Sequence, residues 1–166
     1  MTYRTDTGLV GHQPIAATET TAMHPLGTII RAHSATYGAG EFIYLRGIGS
    51  TTVGSIVNYR GTTFTTALGY AGENVPHPVA VAMSANVANQ FGWYQISGIA
   101  VAAKACTVSF AAAAKVAVGS SSGLAVASLS GQELHGAMVS AVASATAGRT
   151  TVTLVLNRPS NQGRIT

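Results

Sequence analysis

Thr150-Thr151-Val152-Thr153-Leu154-Val155-Leu156 alternates with a period of two residues. Val152, Leu154 and Leu156 share one face, and Thr151, Thr153 and Val155 share the other, which is the pattern of a β-strand. Upstream the chain repeats this texture. β-prone runs occupy Thr28 to Ala32, Glu41 to Ile48, Val53 to Tyr59, Thr62 to Leu68, Val79 to Met83, Phe91 to Ile96, Gly98 to Ala102, Leu124 to Ala127 and Leu134 to Ala143. Turn-forming residues separate them at intervals of roughly ten residues, which is the spacing of an all-β sandwich or barrel.

The run Glu41-Phe42-Ile43-Tyr44-Leu45-Arg46-Gly47-Ile48 is apolar on both alternating faces, so the strand is expected inside a barrel or at an interface. It follows a Gly38-Ala39-Gly40 turn. Gly49-Ser50-Thr51-Thr52 reads as a hairpin loop leading to Val53–Tyr59. Pro76-His77-Pro78 introduces a strand whose Val79, Val81 and Met83 are expected on one face. Ala111 to Ala114 has helical propensity, but Val108, Val116 and Val118 around it favour strands.

Three segments follow from composition. Residues 1–28 are polar and Thr-rich, with apolar spots only at Leu9-Val10, Ile15-Ala16-Ala17 and Met23, and are expected to form an extended N-terminal arm. Residues 29–157 form the β domain, and 158–166 a polar C-terminal tail. Alanine is abundant in the strands, so each side chain buries little area and the core is thin. Such a domain draws stability from neighbouring subunits.

Charge is scarce. Nine Lys or Arg and five Asp or Glu make 8% of the residues, while 47% are hydrophobic. A soluble domain ordinarily carries roughly 25% charged residues. The water-facing surface must therefore be Thr, Ser, Asn, Gln and Gly, or be covered by other molecules. The cations (Arg4, Arg31, Arg46, Arg60, Lys104, Lys115, Arg149, Arg158, Arg164) never cluster, which argues against a nucleic-acid partner despite the formal charge of +4. The uncharged stretch from Pro78 to Ala103 contains Asn86, Asn89, Gln90, Gln95, Gly92 and Gly98, so it is expected to be soluble strand and not a membrane helix. Met1 to Asp6 has no apolar stretch of secretory type.

Candidate chemistry is thin. Gly119-Ser120-Ser121-Ser122-Gly123 matches G-x-S-x-G, but no helical pattern follows to present a strained serine. Asp6, Glu19, Glu41, Glu73 and Glu133 are far apart and suggest no acid–base pair. His12, His24, His33, His77 and His135 lack metal-ligand spacing. Gly47-Ile48-Gly49, followed by Gly54, misses the dinucleotide fingerprint. Cys106, the single cysteine, is expected as a small buried thiol. No catalytic residue, cofactor or metal site is expected. Tyr37, Tyr44, Tyr59 and Tyr70, with Trp93-Tyr94, offer either a sugar-stacking platform or core packing, and Trp93 is the expected buried anchor.

Several stretches together resemble the small tailed-bacteriophage proteins that decorate or cement the capsid. They are Leu26–Ala32 with Tyr37–Leu45, Pro78–Met83 with Gly92–Gly98, and the ending Leu154-Val155-Leu156-Asn157-Arg158-Pro159. The resemblance spans about residues 26 to 166 and is one of pattern and composition. It implies a small β-barrel or β-tulip-like domain on the outside of the head, forming homotrimers or homodimers. The implied partner is the major capsid protein, bound at junctions between its subunits after head expansion. The family has no catalytic residues. Two other readings stand beside this one: another virion part (tail, baseplate or fibre), and a carbohydrate-binding module using Trp93 and nearby tyrosines.

Overall fold

Twelve strands account for the described regular structure of this computed structural model, which covers residues 4–5, 13–47, 51–69, 76–119, 123–128, 132–145 and 151–162. They are β1 (Arg4–Thr5), β2 (Thr18–Glu19), β3 (Ile29–Ser34), β4 (Gly38–Arg46), β5 (Ile56–Tyr59) and β6 (Thr66–Leu68) in the first part of the chain. β7 (Val79–Ala82), β8 (Phe91–Ala103), β9 (Val116–Val118), β10 (Ala125–Ala127), β11 (Leu134–Val139) and β12 (Thr151–Asn161) follow. The chain is all-β: no helix occurs among the described residues, and Ala111–Ala114 is a turn with Ala113 at φ 59°.

β8 is the axis of the molecule. Its first half pairs antiparallel with β4, from Arg46 opposite Phe91 to Glu41 opposite Ser97. Its second half pairs antiparallel with β12, from Asn157 opposite Ser97 to Thr151 opposite Ala103. Phe91–Ile96 and Gly98–Ala102, two runs in the sequence, are thus one strand of 13 residues. Gly98 joins them at φ 92°, where a Cβ would strike the Ala39 carbonyl. Only glycine takes that conformation beside a neighbouring backbone at no steric cost.

The strand path runs β1-β3-β4-β8-β7-β5-β6, with β2 also on β8 and the β11–β12 hairpin attached through β12. Hydrogen bonding does not close this path into a barrel. β9 and β10 form a separate two-stranded sheet. β12 bends at Arg158 (φ 45°) and continues to Asn161, where it meets the head of β7. Ser160 bridges to Pro78, and the Asn161 N–H donates to the His77 carbonyl at 2.9 Å. Part of the expected tail, 158–161, therefore belongs to the domain.

The core divides into three clusters because the central strands are apolar on both faces. On β4, Phe42 and Tyr44 face one way, beside Trp93, Ile30 and Ile15. Ile43 and Leu45 face the other way, beside Tyr94, Ile96, Val57, Ala80 and Ala82. The third cluster joins Val79, Val81, Ala100 and Ala102 to Leu154, Leu156, Val116 and Val118. Val79 and Val81 share a face as expected, but Met83 lies past the strand end and joins the Trp93 cluster.

Two further expectations are corrected. β4 and β5 do not form a hairpin: β4 pairs with β3 and β8, while β5 pairs with β6 and β7. A Gly-Ser-Thr-Thr link suits any tight turn and carries no information about pairing. Residues 13–28 of the expected arm lie against the domain's own sheet. Thr18–Glu19 pairs with β8, and Ile15 is buried.

Candidate functional site

Tyr44 and Trp93 are opposite one another on β4 and β8, with ring centroids 4.9 Å apart. His24 packs on both, at 5.2 Å from Tyr44 and 5.3 Å from Trp93. Gln13 ties this cluster to the N-terminal segment. Its carbonyl accepts from Trp93 Nε1 at 3.0 Å, and its Oε1 accepts from the Tyr44 hydroxyl at 2.7 Å. Its Nε2 donates to the carbonyls of Ala17 and Phe91, and its N–H donates to His24 Nε2. Burial raises the Tyr44 pKa, opposed by the Met23 N–H donating to its oxygen and assisted by Glu19. Trp93 is the buried anchor expected of it, fully enclosed. A sugar platform built on Trp93 is thereby excluded.

Tyr94, one residue on, points to the opposite face and into a buried polar network. Asn86 Nδ2 donates to its hydroxyl, and the Asn86 N–H donates to Thr51 Oγ1 at 3.1 Å. Burial pushes the Tyr94 pKa up, against the pull of hydrogen bonds from Asn86, Thr66 and Thr51. Enclosed groups that satisfy one another fix a geometry and have no access to a substrate.

The charged residues mostly fasten strands. Glu41 on β4 meets Arg31 on β3 at 3.4 Å and Arg158 on β12 at 3.1 Å. Glu133 meets Lys115 at 2.8 Å. Lys104 is buried, its Nζ donating to the carbonyls of Val108 at 2.8 Å and Ala105 at 3.3 Å. The lysine stem fills the interior while its ammonium closes the 105–108 turn, and Cys106 on that turn is exposed. The expectation of a buried thiol is corrected: the turn lifts Cys106 off the sheet while its neighbour Lys104 takes the inward position. His24, His33, His77 and His135 stand on separate parts of the fold, and no group of three His, Cys, Asp or Glu among the described residues is placed to hold a metal. Asp6, His12, Tyr70, Glu73 and Ser120–Ser122 lie outside the described residues. Among the described residues no helix is long and apolar enough to cross a membrane.

A cavity of mixed lining also occurs among the described residues. It lies beside the β5–β6 hairpin, measures about 330 Å³, and is walled by Asn58, Tyr59, Arg60, Thr65, Thr66 and His77 among others. Asn58 is buried, its Oδ1 accepting from Asn161 Nδ2 at 2.8 Å while its Nδ2 has no partner among the described residues. A buried donor without a partner costs about 1–3 kcal/mol. Burial raises the Tyr59 pKa, with Arg158 pulling the other way. The sequence named Tyr59 as one of several tyrosines but held no sign of Asn58, whose place depends on the distant Asn161.

Exposed apolar side chains (Met23, Ile29, Val53, Val87, Met138, Val142) are spread over several elements. Comparison with protein-family models, curated proteins and solved structures finds no match for this chain.

Proposed function

We propose that this chain is a structural virion protein that binds the outer surface of a tailed-phage capsid between major capsid protein subunits and stabilises the expanded head. The observation that carries this reading is the pairing of an all-β scaffold with a chain only 8% charged. A free protein keeps itself soluble with charge; a subunit whose surface is largely covered does not need it. Two of the three described acids, Glu41 and Glu133, are engaged with Arg31, Arg158 and Lys115, and the third, Glu19, lies exposed on β2.

In this reading the sheet is that of a small β-barrel or β-tulip-like body, and the chain self-associates as a homotrimer, or alternatively a homodimer. It is made in the host cytoplasm and resides on the outer capsid surface, with no direct contact to nucleic acid or membrane. The second reading is another virion component, such as tail, baseplate or fibre.

Copy number per major capsid subunit in purified particles tests this. A ratio near one, or a simple fraction repeated over the shell, supports a decoration protein. A handful of copies places the chain in the tail or portal region, and absence from particles overturns both.

A further inference from the structure

Strands β8, β12 and β11 lie side by side, and one face of their sheet packs on the core through Ala100, Ala102, Leu154, Leu156 and Val139. The alternate residues point the other way, and the register sets Met138, Val155 and Ile99 in one row across the three strands. Val101 and Thr153 stand opposite one another on one side of this row, Ser97 and Asn157 on the other. Met138 is 47% exposed, and the other six are half-buried or exposed. None of these strand positions carries a charge. At the rim, Lys115 bridges to Met138 but is paired with Glu133, and Glu41, opposite Ser97, is paired with Arg158. A β-bulge at Gly136 leaves a hollow of about 280 Å³ beside Met138, lined also by Ala137, Val155 and Asn157.

We propose that this face is the contact between two copies of the chain, packed sheet on sheet about a two-fold axis. Such a contact sets the patch against itself, so any charge near the axis would meet its own kind. An uncharged face escapes that penalty. Thr153, Ser97 and Asn157 both donate and accept hydrogen bonds, so they pair with their own counterparts, which an ionised Lys or Glu cannot do. Met138 is a flexible knob next to a hollow, and the axis lets the methionine of each copy fill the hollow of the other. Three strands about 4.8 Å apart and about seven residues long make a platform of roughly 14 by 24 Å, roughly 340 Å² in projection. A standard interface takes about 800 Å² from each partner, so this pair belongs to the small, readily dissociating class. The inference rests on the self-association in the proposed function and selects the dimer over the trimer, and it does not depend on a capsid.

Sedimentation velocity of the full chain from about 10 μM to about 1 mM, with amide shifts of ¹⁵N-labelled protein over the same range, tests the face. A monomer–dimer equilibrium is expected, with concentration-dependent shifts at Ile99, Val101, Met138, Thr153 and Val155. Met138→Arg, at an exposed position, is expected to weaken the dimer about tenfold or more by setting like charges across the axis. Val87→Arg, at an exposed apolar position elsewhere on the fold, is expected to leave it unchanged. A monomer at every concentration overturns the proposal, as does a trimer, a dimer whose shifts fall elsewhere, or a dimer indifferent to Met138→Arg. Loss of head binding in Met138→Arg from a chain that is monomeric in solution also overturns it, and gives the face to the capsid. Copy number on particles is read separately, so a chain abundant on heads yet monomeric in solution sinks the dimer face alone.

Discussion

At Tyr94 the fold encloses a phenol whose ionised form would be costly. Burial raises its pKa above the ordinary value of 10.0, and the same cause acts at Tyr44 and Tyr59. For an acid whose folded pKa is raised, the unfolded chain gives up its proton first as pH rises. Stability is therefore full below about pH 10 and falls between there and the raised folded values. The urea midpoint is expected to drop between about pH 9 and about pH 11 by more than a surface tyrosine would cause. Tyr94→Phe leaves Asn86 Nδ2 without its acceptor, so it is expected to cost about 1–3 kcal/mol at neutral pH. The same variant should lose less than the natural chain over the alkaline range. An unchanged alkaline loss in Tyr94→Phe would show that the enclosed phenol is not its source. Gln13 belongs to this scale too: a single polar residue in a Thr-rich segment meets Tyr44, Trp93, His24, Ala17 and Phe91. Nothing local in the sequence marks it out from the other polar residues around it. Lys104 is likewise indistinguishable from the scattered surface cations until the 105–108 turn folds over it.

Strand β8 is where local pattern and long-range geometry meet. Gly98 lets one strand leave β4 and take up β12, at φ 92° and against the Ala39 backbone. Gly98→Ala is expected to cost at least about 1–3 kcal/mol, since both the left-handed conformation and the close approach oppose a Cβ. Gly61→Ala provides the comparison: a Cβ there has open space, and the change should be near neutral. Equal midpoints for the two variants in thermal or urea unfolding would remove Gly98 from this role. Most strands were legible as elements, because a half-buried or doubly buried strand imposes its period on the chain; Val152, Leu154 and Leu156 are buried together as their alternation requires. Pairing was not legible. The β4–β5 link reads as a hairpin in any local window, yet β4 pairs with β8 across more than forty intervening residues, and only the filled clusters on both its faces decide that. Of the cavity's lining the sequence singled out Tyr59 and His77 but not together, because Asn58, Tyr59, Arg60 and His77 converge only through the pairing of β5 with β7.

For the molecule as a whole, the low charge dictates how it can hold a large partner. With nine cations, several of them occupied by Glu41 and Glu133, little Coulomb attraction is left for a capsid or a nucleic acid. Attachment in the proposed role must then come from backbone groups at sheet edges and from small apolar and hydroxyl side chains. Contacts of that kind are short-ranged and only weakly screened, whereas exposed charges lose most of their interaction beyond about 10 Å at 0.1 M salt. Binding to heads lacking the protein is therefore expected to change less than about threefold between about 50 and about 500 mM sodium chloride. A protein held by six or more phosphate contacts would lose about a thousandfold or more over a narrower range. A steep salt dependence, together with retention on free DNA, would move the chain out of the shell and toward the genome. A flat one, with a negative heat-capacity change on binding, is the signature of apolar surface leaving water, and it is what a neutral surface repeated by symmetry over a shell can supply.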